Sequence, residues 1–130
     1  MKNLAMAIVI RNGKVLIQQR FRRTKGMVYE FPGGAIDQGE SGKQAAIREL
    51  WEETGLKACD FLGSHVAEND FGGEIHYALL SIPENTNPIA IDPERQQVFY
   101  WFPVEDIPLQ DFFKADISFI QKQLAVFTTS

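Results

Sequence analysis

Two short aliphatic runs open the chain, and a turn signal separates them. Residues 4–10 and 14–20 are rich in β-branched and aliphatic side chains and flank the dipeptide Asn12-Gly13. An Asn-Gly pair between apolar runs is the strongest short signal for a β-hairpin, because its turn needs residues that tolerate positive φ. The pattern therefore predicts two antiparallel strands joined by a tight turn.

Further segments are predicted as strands because each combines β-branched or aromatic residues with flanking turn signals. Pro32 disfavours the helical region for the residue before it, and Gly33-Gly34 predicts a tight turn after it. Pro103 ends an aromatic run. These segments are 27–31, two strands within 58–82 that a turn at 69–73 separates, and 98–102.

Two helices are predicted, one in the middle of the chain and one near its end. Ser41 and Gln44 have capping-box spacing, so a helix should begin there, and Gly55 supplies a left-handed residue to end it near Thr54. The second helix follows an apolar stripe with the 3.6-residue period of one helix face. The stripe consists of Phe113, Ile117, Ile120, Leu124 and Phe127.

The order of these elements places the chain in the α/β class. Strands, a helix, strands and a final helix follow one another with no repeat and no linker-like change in composition. With 130 residues, 45% of them hydrophobic, the chain has the size and composition of one globular domain, which we assign to residues 1–130. A mixed central sheet with helices packed against it is the expected architecture.

Charge and apolar runs exclude several classes of protein. Seventeen acidic residues against thirteen basic ones give a net charge of −4, the wrong sign for binding an extended nucleic acid through its phosphates. The longest apolar run, at 4–10, is far short of the ~20 residues that span a bilayer. Cys59 is the single cysteine, so no internal disulfide requires an oxidising compartment. We expect a cytoplasmic protein with no membrane partner.

Three glutamates share one face of the first predicted helix. At about 100° per residue, Glu49, Glu52 and Glu53 fall within an arc of about 100° and form an acidic ridge. Apolar side chains fall nearly opposite, so we expect them, and not the ridge, to pack on the sheet. Glu53→Gln should then leave folding largely intact. The predicted apolar face consists of Ile47, Leu50, Trp51 and Thr54.

The acidic ridge has two interpretations. Glutamates on one helix face are most often a solvated surface. Adjacent carboxylates repel one another unless a cation lies among them, however, and oxygens on neighbouring turns suit a hard divalent ion, Mg²⁺ or alternatively Mn²⁺. The Gly-rich segment upstream could add a backbone carbonyl as a further ligand.

The sequence around the ridge favours the metal. Gly34 and Glu40 precede the run Arg-Glu-Leu-Trp-Glu-Glu-Thr-Gly-Leu at 48–56. This pattern resembles the Nudix box with every defined position filled, and chance would give such a match with a probability on the order of 10⁻⁸. The resemblance implies an α/β/α sandwich with a Gly-loop-helix-loop catalytic motif, in which Gly34 matches a carbonyl-donating glycine. It also implies hydrolysis of a nucleoside diphosphate linked to another moiety.

The same resemblance implies roles for single residues. Glu52 and Glu53 match the principal metal ligands of the family, and Glu49 matches a residue that binds metal or acts as general base. Arg48 and Glu40 match a pair that orients the catalytic helix. A metal-assisted attack by water needs no covalent nucleophile, because the ion stabilises the developing charge.

Outside the box, the chain resembles the MutT-type members of the family, which act on nucleoside triphosphates. Phe31 lies in the segment that enters the box and matches an aromatic residue near the nucleoside pocket of these members. A position in the core is an equally good interpretation of Phe31. Arg20 matches a phosphate-contacting arginine, and its alternative is the solvated end of a hairpin.

Two acidic residues have further matches to this type. The spacing from Trp101 to Asp116 equals that from a tryptophan to an asparagine that reads the purine edge in MutT-type members. Asp116 could accept from a base, or donate if burial raises its pKa, or it is simply an acid in the first turn of a helix. Glu94 lies one position from the spacing of an additional metal carboxylate, and is otherwise a loop charge.

These observations lead to three hypotheses of function. The first is a Mg²⁺-dependent pyrophosphohydrolase that converts a nucleoside triphosphate, including an oxidised one, to nucleoside monophosphate and pyrophosphate. The second is the same chemistry on another small-molecule nucleotide substrate, such as a nucleotide sugar, ADP-ribose or a dinucleoside polyphosphate, or on an RNA 5′ end. The third is a Nudix module that senses a nucleotide without hydrolysing it. We expect a monomer or a homodimer.

Overall fold

The computed structural model describes the backbone of residues 2–69 and 72–128, with side chains through Val126. Asp70 and Phe71 in the expected turn, and the side chain of Phe127 in the apolar stripe, lie outside the described residues. The strands are β1 Leu4–Arg11, β2 Lys14–Arg22, β3 Gly26–Glu30, β4 Gly33–Ala35, β5 Asp60–Glu68, β6 Glu74–Ser81 and β7 Val98–Pro103. The helices are α1 Gly42–Thr54, α2 Lys114–Phe119 and α3 Ala125–Thr128.

The β1–β2 hairpin forms around the predicted turn, but its strands soon separate. Asn12 and Gly13 have φ values of 52° and 74°, as this turn requires. The last two residues of β1 pair with the first two of β2. The rest of β1 pairs with β4 and β6, and β2 turns to β3 and β7. One mixed sheet results, in the order β3-β2-β1-β6-β5, with β4 on β1 and β7 on β2.

Helices cover both faces of this sheet, which makes the molecule an α/β/α sandwich. On one face, α1 packs over side chains that include Ala7 and Leu16. On the other, the C-terminal helices pack over a core that includes Ile8 and Tyr77. Ala7 and Ile8 point to opposite sides because side chains alternate along a strand. The predicted α/β class and mixed sheet are confirmed, and in the described part of the chain no helix is long and apolar enough to cross a membrane.

The Gly33-Gly34 pair forms a strand instead of the predicted turn. It opens β4, which pairs with β1 through Met6 and Ala5. A Cβ on Gly33 would collide with the Ala5 carbonyl oxygen, and a Cβ on Gly34 would lie 2.7 Å from the Glu49 carboxylate. Close packing of β4 against β1 therefore requires Gly33, and Gly34 leaves space for the Glu49 carboxylate; turn propensity predicts neither contact.

Helix α1 begins and ends where the sequence predicts. Gln44 donates its N–H to Ser41 Oγ at 3.0 Å, and the Ser41 N–H donates to Gln44 Oε1 at 2.9 Å, which completes the capping box. Gly55 ends the helix with a φ of 74° and donates its N–H to the Trp51 carbonyl. These caps depend on local sequence alone, which is why they were predictable.

The buried face of α1 differs from the predicted one. Trp51, expected to pack on the sheet, is 51% exposed, whereas Glu53 is 6% exposed. Beside the helix, β1 presents the small residues Ala5 and Ala7 and β4 presents two glycines. These strands therefore lie close to α1, and the bulky Trp51 side chain points outward. The ridge is thus partly inside the buried face, contrary to the prediction. The buried residues of α1 are Gly42, Ala45, Ala46, Leu50, Glu53 and Thr54.

The C-terminal helix is confirmed, with an interruption. A π-helical turn, Ile120–Leu124, separates α2 from α3, and both residues at its ends are buried. Phe113, predicted to begin the apolar stripe, precedes the helix and is exposed, while Phe119 outside the stripe is buried. A π turn contains an additional residue, so a stripe counted with one constant period does not stay on one face.

Candidate active site

Glu53 lies between α1 and the sheet, and both of its carboxylate oxygens accept hydrogen bonds. Gly33 donates its N–H to Oε2 at 2.8 Å, and Gln18 donates its side-chain Nε2 to Oε1 at 2.9 Å. Nη1 of Arg95 lies 3.3 Å from Oε1. Donors from β4, from β2 and from the loop before β7 therefore fix this buried carboxylate, as a buried polar group requires.

The side-chain amide of Gln97 holds that of Gln18 in place. Gln97 donates Nε2 to the side-chain oxygen of Gln18 at 3.1 Å and to the main-chain carbonyl of Glu53 at 2.9 Å. Its own oxygen accepts the Ile91 N–H at 3.1 Å. Both glutamines are buried. Each contact sets the orientation of the next amide, so the NH₂ group of Gln18 is held facing Glu53.

Burial raises the pKa of Glu53 to about 7. The hydrogen bonds from Gln18 and Gly33 favour the charged form and lower this pKa, and the negative charges of Glu49 and Glu30 raise it further. Burial outweighs the two hydrogen bonds. A cation beside Glu53 would favour the carboxylate, and this position is accordingly suited to hold one.

Arg48 gathers the other acidic side chains of the motif. Its Nε and Nη2 bind the two carboxylate oxygens of Glu40 at 2.7 and 3.0 Å, and its Nη1 lies 2.9 Å from Glu49 and 3.2 Å from Glu52. Nη2 also donates to the Ala35 carbonyl at 3.1 Å. The hydrogen bonds between Arg48 and Glu40 lower the pKa of Glu40 and raise that of Arg48. Arg48 thereby ties α1 to β4 and to the loop between them.

The three ridge carboxylates have three different settings. Glu53 accepts the Gly33 N–H, and the Glu49 carboxylate packs over Gly34, where a Cβ would displace it. The Glu52 side chain is 53% exposed and reaches Arg48 from outside. Glu49 and Glu53 thus converge on the two glycines of β4, while Glu52 borders them on the solvent side.

The loop before β7 brings an arginine to the ridge. Glu94, the predicted additional carboxylate, is exposed on a 3₁₀ turn, Pro93–Arg95, and its N–H donates to Asp92. The next residue, Arg95, makes the contact with Glu53. The role of Glu94 in metal binding stays a prediction.

A cleft of about 320 Å³ opens beside β4, a volume within the range of small-molecule sites. Its lining includes the three residues that the sequence suggests for substrate binding, Arg20, Phe31 and Asp116. Gly33 and Gly34 line it as well. The structure therefore brings these three residues to the same two glycines on which Glu49 and Glu53 converge.

Arg20 and Phe31 already have partners in this cleft. Arg20 Nε lies 2.5 Å from one oxygen of Glu30, and Arg22 Nη2 lies 2.8 Å from the other. One carboxylate thus faces two guanidinium groups, which leaves this wall of the cleft positive. Phe31 is buried and packs edge-on against Phe112 at 5.2 Å between ring centroids. It is both a core residue and part of the cleft wall.

Asp116 is a buried residue in the lining of the same cleft. It is 4% exposed, accepts the Tyr77 hydroxyl at 2.5 Å and accepts the Phe113 N–H at 3.3 Å. Burial raises the pKa of Asp116, and the hydrogen bond from Tyr77 partly offsets this. Burial also raises the pKa of Tyr77. The residue lies in the first turn of α2, as the sequence indicates, but it faces the protein interior instead of solvent.

Comparison with known proteins assigns this arrangement to a family. The family model of the NUDIX domain matches residues 1–123. The chain belongs to the NUDIX domain family. A CTP pyrophosphohydrolase from Escherichia coli K12 is 30% identical over 129 residues, which are 97% of this chain and 93% of that protein. An RNA pyrophosphohydrolase from Tolumonas auensis is 43% identical over 58 residues, which are 45% of this chain and 32% of that protein.

Solved structures agree with this assignment. A structure of MutT, described for Aliivibrio salmonicida and Vibrio cholerae, superposes with a TM-score of 0.73 at 22% identity and covers 96% of each chain. The α/β/α sandwich is thus the Nudix fold, and the chain is a Nudix pyrophosphohydrolase. The predicted family, fold and enzyme class are confirmed.

The donor chemistry of this Nudix motif fits a divalent ion, which enzymes of the family generally use. The candidate ligands are oxygens alone, from Glu49, Glu52, Glu53 and the Gly34 carbonyl, and hard ions prefer oxygen. Within residues 2–69 and 72–128, no three acidic, histidine or cysteine side chains are arranged to hold an ion. A cation already pairs with each carboxylate of the ridge, which fits a cation-binding role.

Several residues of the Nudix site escaped sequence analysis. Gln18 had a signal, since it is polar, lies two residues after Leu16 in an aliphatic strand and therefore shares its buried face. Arg95 and Gln97 had none, because their roles depend on how the loop before β7 folds back on α1. Tyr77 gave only the pattern of a core strand, which did not reveal its hydroxyl contact with Asp116.

Proposed function

We propose that this Nudix hydrolase is a Mg²⁺-dependent pyrophosphohydrolase of nucleoside triphosphates, which releases a nucleoside monophosphate and pyrophosphate. One observation carries the proposal. The Glu49 and Glu53 carboxylates and the cleft that Arg20 and Asp116 line meet at Gly33 and Gly34. A cation site and a nucleotide-sized cleft with one positive wall are therefore adjacent, as cleavage of a polyphosphate next to a nucleoside requires.

The metal would be held by Glu49, Glu52, Glu53 and the carbonyl of Gly34, with Glu94 as a further candidate. When bound, Mg²⁺ or Mn²⁺ supplies charge neutralisation to the polyphosphate and activation to water. The acidic ridge would then repel the incoming polyphosphate less, because bound divalent ions would reverse the sign of the local charge.

The protein's own residues supply the remaining chemistry. Glu49 or Glu53 accepts a proton from the attacking water, whose oxygen bonds to phosphorus as the P–O bond of the anhydride breaks. Pyrophosphate leaves as the anion. Arg48 keeps the helix in place through Glu40 and Ala35, and is thus a positioning residue.

The cleft would hold the nucleotide. Arg20 contacts a phosphate, exchanging its ion pair with Glu30 for the substrate. Phe31 provides an apolar wall for the base or sugar, and Asp116 bonds to a polar edge of the base. The carboxyl of Asp116 accepts in its charged form and donates in its protonated form, so its raised pKa widens the choice of partner.

A substrate screen with Mg²⁺ tests the proposal. We expect release of pyrophosphate from at least one nucleoside triphosphate, and loss of activity with EDTA that Mg²⁺ restores. Hydrolysis in ¹⁸O-labelled water then shows which phosphorus is attacked, because the label enters one product. Absence of pyrophosphate release from every common and oxidised triphosphate would refute it.

The same motif supports a second candidate, hydrolysis of an RNA 5′ end. The observation in its favour is the 43% identity to the RNA pyrophosphohydrolase, over 58 residues. The net charge of −4 disfavours an extended RNA contact. Activity on a 5′-triphosphorylated oligonucleotide that exceeds activity on every free triphosphate would favour this candidate.

A further inference from the structure

Arg95 places a positive charge against the most buried carboxylate of the acidic ridge. Its Nη1 lies 3.3 Å from Glu53 Oε1, and its Nε lies 3.6 Å from Asp92. The arginine side chain is 37% exposed and that of Glu53 only 6%. The half-buried guanidinium therefore reaches inward to a carboxylate that is almost fully buried.

The loop that carries Arg95 is anchored on both sides. Asp92 caps the 3₁₀ turn by accepting the Glu94 N–H at 3.0 Å, and Gln97 inserts its amide between Gln18 and the main chain of Glu53. Gln96 between them adopts a positive φ of 51°, which L-residues rarely adopt. The backbone is thus held so that Arg95 projects toward Glu53.

This ion pair has a consequence for any second cation. A divalent ion bound to Glu53 Oε1 would compete with the Arg95 guanidinium for that oxygen. The two positive charges would repel each other strongly at such a short distance. Arg48 does not compete in this way at Glu53, because it pairs with Glu40, Glu49 and Glu52. Among the described ion pairs, the one on Glu53 is made by Arg95.

We infer that Arg95 is an internal counter-ion of Glu53 that competes with the divalent metal and, once displaced, binds the polyphosphate of the substrate. The second half rests on the proposed function. A displaced guanidinium remains tethered within one side-chain length of Glu53, and would therefore be within reach of a phosphate group bound beside that carboxylate. Planar guanidinium groups bind phosphate oxygens in pairs.

Mn²⁺ binding without nucleotide tests the competition. We expect Arg95→Gln to bind Mn²⁺ roughly threefold to tenfold more tightly than the wild type in a calorimetric or electron-spin-resonance titration. Arg95→Lys, which keeps a positive charge, should stay nearer the wild type. Lys122→Gln is the matched control, since it removes one exposed positive charge on the opposite face of the sheet and should change nothing.

Binding of a non-hydrolysable nucleoside triphosphate tests the exchange. At saturating Mn²⁺ we expect Arg95→Gln to bind the α,β-methylene analogue roughly tenfold more weakly than the wild type, and Arg95→Lys to recover part of the loss. The variant is thus better at binding metal and worse at binding substrate. A residue that merely supports the loop would weaken both.

The outcomes separate this inference from the proposed function. Unchanged or weaker Mn²⁺ binding by Arg95→Gln would overturn the competition, and unchanged analogue binding would overturn the exchange. Failure of Arg95→Lys to differ from Arg95→Gln in either titration would overturn the charge argument. Neither titration needs turnover, so an enzyme that hydrolyses no triphosphate would refute the proposed function while the Mn²⁺ result still decides the competition.

Discussion

Glu53 and Asp116 are buried carboxylates on opposite faces of the same sheet, and they differ in the groups that surround them. Glu53 faces α1 and receives an amide, a backbone N–H and a guanidinium. Asp116 faces the C-terminal core and receives a hydroxyl and a backbone N–H. Burial raises the pKa of both.

The comparison shows that burial alone does not indicate a role. Glu53 has a cation, Arg95, beside its hydrogen-bond donors, and Gln97 fixes the orientation of the Gln18 amide that donates to it. This environment holds a negative charge at one place. Asp116 has no cation among its described hydrogen-bond partners, which are a hydroxyl and a backbone N–H. We therefore expect Glu53 to act as an anion and Asp116 to act through hydrogen bonds.

The largest expected effect is that of Glu53→Gln. We expect kcat/KM to fall roughly 10²–10⁴-fold, because the neutral amide cannot replace an anionic metal ligand. The free energy of unfolding should fall by about 1 kcal/mol, because one of the donors Gln18 and Gly33 then faces the new NH₂ group. Steady-state kinetics and urea unfolding measure the two effects.

Glu84→Gln serves as the control for Glu53→Gln, since Glu84 is an exposed acid in a surface loop. It should leave both quantities near the wild type. Full activity of Glu53→Gln with Mg²⁺ would contradict an anionic role of Glu53.

Alanine substitutions at the two glycines of β4 should have different effects, one on stability and the other on activity. In Gly33→Ala the new Cβ meets the backbone of Ala5, which cannot yield easily, so we expect the free energy of unfolding to fall by about 2–4 kcal/mol. In Gly34→Ala it meets the mobile end of Glu49, so we expect roughly tenfold lower kcat/KM and a change of unfolding free energy below about 1 kcal/mol. Equal loss of stability in both variants would contradict this assignment.

Gln18→Met should weaken the support of Glu53 without touching the substrate. The side chain keeps its approximate size but loses its amide, so Glu53, Glu30 and Gln97 each lose a hydrogen-bond partner. We expect the free energy of unfolding to fall by about 1–3 kcal/mol and metal affinity to fall as well. Gln19→Met is the matched control, since Gln19 is half-buried on the other face of β2 and accepts a bond from Tyr100; a loss as large there would argue against a special role of Gln18.

The smallest expected effect concerns the pH dependence of Asp116. Its folded-state pKa is raised above the unfolded value, so its contribution to stability is fully present below the unfolded pKa and is lost as pH rises through the folded pKa. Asp116→Asn does not titrate, and its stability relative to the wild type should therefore increase with pH. Urea unfolding at pH 4 to 8 measures this trend, and a difference that stays constant over this range would contradict it.

Local sequence determined the elements that are specified by contiguous residues. Ser41, Gln44 and Gly55 define α1 because capping involves neighbours in the chain, and Asn12-Gly13 defines the hairpin turn for the same reason. The motif from Gly34 to Leu56 likewise revealed the family. A helical wheel put Glu49, Glu52 and Glu53 on one ridge, because that geometry is local.

Tertiary structure decided which side chains the sheet buries and what they contact. The close approach of β1 and β4 to α1 excludes Trp51 and buries Glu53, and it turns Gly33-Gly34 into a strand, so side-chain volume overruled the polarity pattern. The chain of contacts from Gln97 to Gln18 to Glu53 spans residues distant in sequence. No local pattern specifies it, because hydrogen-bond partners across a fold are set by packing.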